Sequence, residues 1–285
     1  MFSSFILTFG PHARSTQKKR GLDPTTFQVN PIYELSAHLL DIARVMPIHI
    51  LPGPGDPSGT IMPQQPFPKA IFGDASTKFG TFYSESNPTY INIESSSKQE
   101  CKRSILVNSG QPLNDMFKYL PSPPITRLSI LESTLKWRHM SPTAPDTLWC
   151  HPYFTADPFI MKETPHIYVV GVQPEFDTKL VTEETRGGGK IRSRIVLLPS
   201  FAKSGILVMV NIRTLEVRRV NFAVEGMMTA DGENALSGAF LIDCLPNSLT
   251  FLQRGKGQNH RIGQNRYGLQ TLARTRILWI RSRTK

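Results

Sequence analysis

Apolar residues change their period early in this chain. Leu35, Leu39, Ile42 and Met46 recur at helical spacing and predict a helix over 31–46. The run 45–51 is then a short continuous apolar stretch that stops at Pro52-Gly53-Pro54-Gly55. A helix, a buried strand and a Gly/Pro loop at the strand's carboxyl end form the pattern of an α/β fold. Further strands are predicted at 88–93, 104–107, 166–171, 194–198 and 205–212, with 215–222 returning as a hairpin partner. In 205–212, Ile206, Val208 and Val210 face one way while Leu207 and Met209 face the other. Apolar residues on both faces predict an interior strand. Helices are predicted at 112–119 and 125–137, the second with Leu128, Leu131 and Leu135 on one side. After Val224 the period decays, so the structured core is expected over 29–224, with no internal repeat.

Composition refines this picture in three respects. The 23 prolines among 285 residues exceed the usual frequency of about 5% and require many ordered loops. The net charge of +11 is not spread evenly. Residues 1–28 hold four Lys/Arg and one acid, and 241–285 hold nine Lys/Arg and one acid, which leaves 20 basic and 20 acidic residues in 29–240. A neutral body argues against direct DNA binding by the domain, because phosphate contacts dominate such affinity. The cysteines Cys101, Cys150 and Cys244 are widely spaced with no C-x-x-C, which argues against a zinc or iron–sulfur site in this chain and suits a reducing compartment. The apolar stretch 1–10 has no basic residue before it, and Lys18-Lys19-Arg20 follows it, so a secretory signal is not expected. A mitochondrial transit peptide stays open, since Asp23 is the one acid before Glu34. No run of 18 apolar residues is present, so no membrane partner is expected.

Two stretches carry more information than their secondary structure demands. One runs over 51–68 and contains Gly53-Pro54-Gly55-Asp56 followed by Pro63-Gln64-Gln65-Pro66. The other runs over 138–159, from His139 through the Pro-rich loop to Trp149, His151, Tyr153, Phe154 and Phe159. Asn108-Ser109-Gly110-Gln111 and the run 166–171 that leads into Val172-Gln173-Pro174 add to them. Over roughly 31–224 these stretches resemble the small (B) subunits of the replicative DNA polymerases, the delta type most of all. The resemblance implies an α/β fold of the calcineurin-like metallophosphoesterase type, a β-sandwich flanked by helices, with the metal ligands lost. It further implies that the family's OB-fold is absent and that the domain is incomplete at its N-terminus. Residues 1–28 are then a non-matching basic leader, and 225–285 a basic tail expected to be disordered, with so little apolar surface to bury.

Active phosphoesterases of this type hold two metals with D-x-H, G-D-x-x-D, G-N-H-[DE], a lone His and G-H-x-H, and the metals activate a hydroxide and clamp the phosphate. No D-x-H occurs here, and Gly73-Asp74-Ala75-Ser76-Thr77 lacks the last acid of G-D-x-x-D. Gly53, Pro54, Gly55 and Asp56 stand where G-N-H-[DE] belongs, and Gly171, Val172 and Pro174 where G-H-x-H belongs. Catalytic residues, metals and cofactors are therefore expected to be none. His38, His139, His151 and His166 have no partner motif and read as structural histidines, and Thr185 to Lys190 reads as a hairpin loop rather than a phosphate loop. Trp149, Tyr153, Phe154 and Phe159 are weak candidates for partner binding, or equally core residues beneath a long loop.

The implied function is a non-catalytic scaffold subunit of DNA polymerase delta in the nucleus. The partners implied by the resemblance are the cysteine-rich C-terminal domain of the catalytic subunit and a third, elongated subunit, with DNA met only indirectly. Two alternatives remain at this point: an active metallophosphoesterase, and a nucleic-acid-binding protein acting through its basic ends.

Overall fold

A computed structural model of the chain describes residues 3–8, 30–54, 56, 58–94, 102–184, 188–222 and 276–281. Its elements run β1 (Ser3–Thr8), α1 (Asn30–Ala43), β2 (Ile48–Leu51), a 3-10 turn (Lys69–Phe72), α2 (Asp74–Thr77), β3 (Phe82–Ser84), β4 (Thr89–Glu94) and β5 (Lys102–Asn108). There follow α3 (Gln111–Met116), α4 (Arg127–Trp137), β6 (Ile167–Gln173), β7 (Asp177–Glu184), β8 (Lys190–Pro199), α5 (Phe201–Ser204), β9 (Ile206–Asn211), β10 (Val217–Asn221) and β11 (Arg276–Arg281). The fold is mixed α/β. One sheet has the order β10-β9-β11-β1-β2-β3 and the other β4-β5-β6-β8-β7. Strands β5, β6 and β8 are parallel, as are β1, β2 and β3.

The side-chain period of two explains how the layers meet. Ile105 and Val107 of β5, Ile167 and Val169 of β6, and Val196 and Leu198 of β8 face the other sheet, where they meet Leu51, Val208, Val210, Ile212 and Leu215. The alternate residues Leu106, Tyr168, Val170, Ile195 and Leu197 face away. They are covered by Leu113 and Met116 of α3, by Ile130, Leu131 and Leu135 of α4, and by Met140, Phe159 and Met161 of the loop beyond it. A third cluster forms where Leu35, Leu39 and Ala43 of α1 pack on Ile48 and Ile50 of β2 with Phe67, Phe72 and Phe82. Helix α4 begins at a reciprocal cap, with Thr126 Oγ1 accepting from Ser129 N (3.2 Å) and Ser129 Oγ accepting from Thr126 N (3.1 Å). It ends where Arg138 turns left-handed.

The predicted elements of 30–222 are present with modest changes of boundary. Val45 belongs to the turn after α1, since its N–H donates to Ile42 O, and β2 begins at Ile48. Strand β9 lies between β10 and β11, which agrees with its two apolar faces. Strand β7 was not predicted. It is an edge strand of mostly exposed residues, with Val181 its buried residue, so its apolar signal is one side chain long.

Read from sequence, residues 1–28 and 225–285 stand outside the domain, and two strands correct this. Strand β1 pairs in parallel with β2, with Phe5 opposite Ile48 and Leu7 opposite Ile50, so a strand does precede residue 31. Strand β11 pairs antiparallel with β1 and parallel with β9. Both draw their hydrogen bonds from strands remote in sequence, so neither needs a local pattern of its own. The rest of both segments, and with it the expectation of a disordered tail, lies outside the described residues.

Strand β11 separates β1 from β9, so deleting 276–285 is expected to expose two strand edges and break two ladders. The expected loss is roughly 3 kcal/mol, at about 0.5–1 kcal/mol for each of several backbone hydrogen bonds. Urea unfolding of the full and shortened chains measures it, and an unchanged midpoint would contradict this pairing.

Candidate functional site

In open α/β sheets, ligands bind outside the carboxyl ends of the parallel strands. Four connections reach that end here: the loop after β2, the β3–β4 turn, the loop after β5 and the loop after β6. Each brings a side-chain amide or hydroxyl. Gln64 comes from the first, Asn87 from the second, Ser109 from the third with Gln111 at the start of α3 just after it, and Gln173 is the last residue of β6, where the fourth begins.

Gln64 and Asn87 are completely buried and exchange both backbone hydrogen bonds, Gln64 N to Asn87 O (2.8 Å) and Asn87 N to Gln64 O (3.0 Å). The Gln64 amide nitrogen donates to Gly59 O (2.6 Å) and Gly53 O (3.1 Å). Its carbonyl oxygen accepts from Asn87 Nδ2 (2.6 Å) and from Gln111 Nε2 (2.8 Å). Asn87 Oδ1 accepts from Ser109 N (3.0 Å), and the Ser109 hydroxyl donates to Gln111 Oε1. Asp56 is buried and accepts from Gly53 N (2.7 Å), which closes the Gly/Pro loop on itself. The centre of the crevice is thus a neutral network in which amides satisfy amides, and the carboxylate beside it is turned onto a backbone N–H. Among the described residues, no group of three or more His, Cys, Asp or Glu side chains converges in a way that could hold a metal ion.

The loop after β5 and the end of β6 approach very closely. Gly110 adopts φ +90°, and a Cβ placed there would lie 2.1 Å from Gly171 O. Only glycine satisfies both constraints. Val172, the next residue of β6, where its pairing with β8 is irregular, has φ 55°, a left-handed conformation that a β-branched side chain strains. Gln173 is buried, donates to Gly171 O (2.7 Å) and accepts from Arg127 Nη1 (2.7 Å), which also donates to Asn114 Oδ1 (2.7 Å). The Arg127 guanidinium lies 4.7 Å above the Phe117 ring.

The long loop between α4 and β6 is sewn down at three places. Met140 N donates to Phe159 O (3.0 Å), and Met161 N to Arg138 O (2.8 Å), at its base. Met62 N donates to Trp149 O and His151 N to Met62 O, both 2.9 Å, which join it to the Gly/Pro loop. The buried Asp115 carboxylate accepts from Thr147 Oγ1 (2.6 Å) and pairs with Lys118. Burial pushes this carboxyl up, but the Lys118 and Thr147 hydrogen bonds outweigh burial and hold it below the usual carboxylate range. His139 Nε2 lies 2.8 Å from Asp157 Oδ2, and Asp157 is held low for the same kind of reason, with burial opposed by the His139 hydrogen bond.

The predicted site residues therefore fall into groups. Gly53 and Asp56 belong to the closed loop, Pro54 has no side-chain donor, and Gly55 lies outside the described residues. Gly171 and Val172 flank the close approach, and Pro174 lines a cleft of about 270 Å³ with Phe176, Pro199 and Arg219. Of the aromatics, Phe154 is 96% exposed, Trp149 is 70% exposed and Tyr153 is exposed. Phe159 is 2% exposed and belongs to the core, so it is withdrawn as a surface anchor: its ring packs under the loop against the α4 cluster. Asn87, Asn114, Arg127 and Gln173 were missed from sequence. Gln173 ends β6 and Asn87 lies in the turn after β3, while Asn114 and Arg127 belong to α3 and α4, and nothing local says that they meet.

Three outcomes test this geometry. Gly110→Ala is expected to destabilise by more than about 3 kcal/mol, since both φ and the Gly171 carbonyl oppose the new methyl. Val172→Asn is expected to stabilise by about 1 kcal/mol, because Asn tolerates the left-handed region. Paired denaturation curves read both, and a matching sign for the two would be incompatible with this loop contact. The Asp115 cluster predicts a pH dependence. Its folded pKa is depressed, so its contribution is present above the ordinary carboxylate value of about 4 and is lost as pH falls through the folded value. Between about pH 5 and about pH 3, wild type should lose stability more steeply than Asp115→Asn, and parallel profiles would count against the cluster.

Comparison with known proteins adds the family. The family model for the B-subunit of DNA polymerases alpha and epsilon matches residues 4–178, which brings β1 into the match. The chain is 37% identical over 193 residues to the DNA polymerase delta small subunit of Oryza sativa subsp. japonica, covering 68% of this chain and 42% of that protein. It is 35% identical over 214 residues to DNA polymerase delta subunit 2 of Drosophila melanogaster, covering 75% and 46%. With the delta small subunit of Saccharomyces cerevisiae it shares 33% over 214 residues, covering 67% and 42%. The chain spans less than half the length of these relatives. On both comparisons, the chain belongs to the DNA polymerase alpha/epsilon B-subunit family, among the delta-type small subunits.

Proposed function

We propose that this chain acts as a non-catalytic accessory subunit of DNA polymerase delta in the nucleus, on a domain of the calcineurin-like phosphoesterase type. One observation carries the reading. The strand-end crevice, where a phosphoesterase holds two metals between carboxylates and imidazoles, is filled by Gln64, Asn87, Ser109 and Gln111 bonded to one another. Neutral amides do not lower the pKa of a bound water or clamp a phosphoryl group. They do fix four loops relative to one another, which gives a partner a rigid surface and reduces the ordering cost of association.

The partners that fit are those implied by the family resemblance: the cysteine-rich C-terminal domain of the catalytic subunit and a third subunit, with this chain as the bridge. The exposed Trp149, Tyr153 and Phe154 stand on a loop that is anchored at both ends, and rigid exposed aromatics make strong anchors. Two measurements test the proposal on the full chain. Hydrolysis of a generic phosphodiester with added manganese is expected to stay at background, and turnover that vanishes in Asp56→Ala would overturn the inactive-site reading. Calorimetric titration with the catalytic subunit's C-terminal domain is expected to show a stoichiometric complex, weakened about tenfold or more by Trp149→Ala or Phe154→Ala. No complex with the wild-type chain would overturn the accessory-subunit reading.

A further inference from the structure

The long loop between α4 and β6 and the Gly/Pro loop after β2 form one continuous surface. Met62 lies opposite Cys150 in a parallel bridge, closed by Met62 N to Trp149 O and His151 N to Met62 O, both 2.9 Å. The side-chain period of two then divides the residues. Met62 and Cys150 turn inward onto the α4 cluster, while Ile61 and Trp149 stand exposed at neighbouring positions. Residues 151–157 continue this exposed stretch and carry Tyr153 and Phe154. The Cys150 thiol lies among them. Burial pushes it up first and the Asp157 carboxylate adds to this, and Tyr153 is raised by burial and then by Cys150.

The two loops bring no cation of their own. Residues 51–68 and 140–161 contain no Lys or Arg, and their acids are Asp56, Asp146 and Asp157. Asp56 is buried on Gly53 N, whereas Asp146 and Asp157 are exposed. Asp146 is in no ion pair among the described residues. His139 Nδ1 accepts from Ser141 N (3.2 Å), so the ring holds its proton on Nε2, toward Asp157, and leaves the charge of that carboxylate in place. The first cations along the chain are Arg138 and Lys162 at the base of the long loop, and Lys69 after the Gly/Pro loop. Aromatic faces attract cations, carboxylates beside them add to the attraction, and a guanidinium both stacks on the rings and pairs with the acids. A nucleic-acid strand stacks on exposed aromatics where cations track its phosphates. On this surface it would meet carboxylates instead.

We propose that Ile61, Trp149, Tyr153 and Phe154, with Asp146 and Asp157, form a docking site for an arginine-bearing segment of a protein partner. The inference rests on the reading of this loop as a partner anchor and specifies the chemistry it takes. The test is fluorescence anisotropy of a labelled Gly-Arg-Leu-Arg-Leu-Arg-Gly peptide titrated with the full chain. The same peptide with citrulline, the neutral isostere, in place of each arginine is titrated beside it. The chain's net charge of +11 repels a cationic peptide at long range, so non-specific attraction cannot imitate the result. Wild type is expected to bind the arginine peptide about tenfold more tightly than the citrulline peptide. Trp149→Leu keeps apolar area and removes the aromatic face, and should cost the arginine peptide about fivefold, with about threefold for Asp146→Asn. Neither should change citrulline-peptide binding, and Tyr33→Leu on the exposed face of α1 should change nothing. All three positions are exposed, so the Tm of each variant should match wild type. Equal affinity of wild type for the two peptides overturns the proposal, as does an arginine-peptide affinity that Trp149→Leu leaves intact. So does a single-stranded oligonucleotide that binds more tightly than the peptide and loses affinity in Trp149→Leu, which would assign the surface to nucleic acid. These outcomes strike this inference alone while the complex with the catalytic subunit's C-terminal domain persists; absence of that complex strikes the anchor reading itself.

Discussion

Strands β5, β6 and β8 are apolar on both faces, and the rest of the structure follows from the need to cover them. One face of these strands is satisfied by the second sheet and the other by α3, α4 and the long loop beyond α4. With both faces and both lateral neighbours occupied, the strands can leave the protein interior only at their ends. Backbone groups at such ends remain polar and partly buried, and each must find a hydrogen-bond partner. The fold therefore concentrates its polar side chains where the parallel strands stop.

That requirement shapes the crevice. A metal centre would meet it with charge: carboxylates and imidazoles around cations. Here it is met with neutral groups, and the hydrogen-bonding capacities match closely. Gln64 alone uses its amide nitrogen on two loop carbonyls and its oxygen on two further amides, so it ties the Gly/Pro loop to the turn at Asn87 and to the loop at Gln111. Fully satisfied polar networks rigidify what they connect. The close contact of Gly110 with Gly171 belongs to the same solution, since a side chain there would push the loop after β5 away from the end of β6.

Rigidity at the crevice end shapes the surface beside it. The crevice side presents Trp149, Tyr153 and Phe154 on a loop anchored through Met62 and Asp115. At the opposite pole, Arg103 and Arg194 hold the β9–β10 hairpin by donating to Ile212 O and Leu215 O.

The local period of the chain determined most of the sheet and helix positions by itself. Strands such as β5 and β6 are apolar at successive positions, and α1 and α4 carry their stripes at helical spacing, so each announces its burial without reference to the rest of the chain. That D-x-H and G-H-x-H do not occur is read directly from the chain. Tertiary structure alone decided which groups meet at the strand ends. Gln64, Asn87, Ser109 and Gln111 are ordinary loop residues until three connections converge, and a hydrogen bond between residues 47 apart leaves no trace in either neighbourhood. The same holds for β1 and β11, whose partners lie far off in the sequence, and for Phe159, whose burial depends on how a loop lies across a helix. Local periodicity records whether a residue will be buried; which groups it meets there is fixed only when distant segments pack.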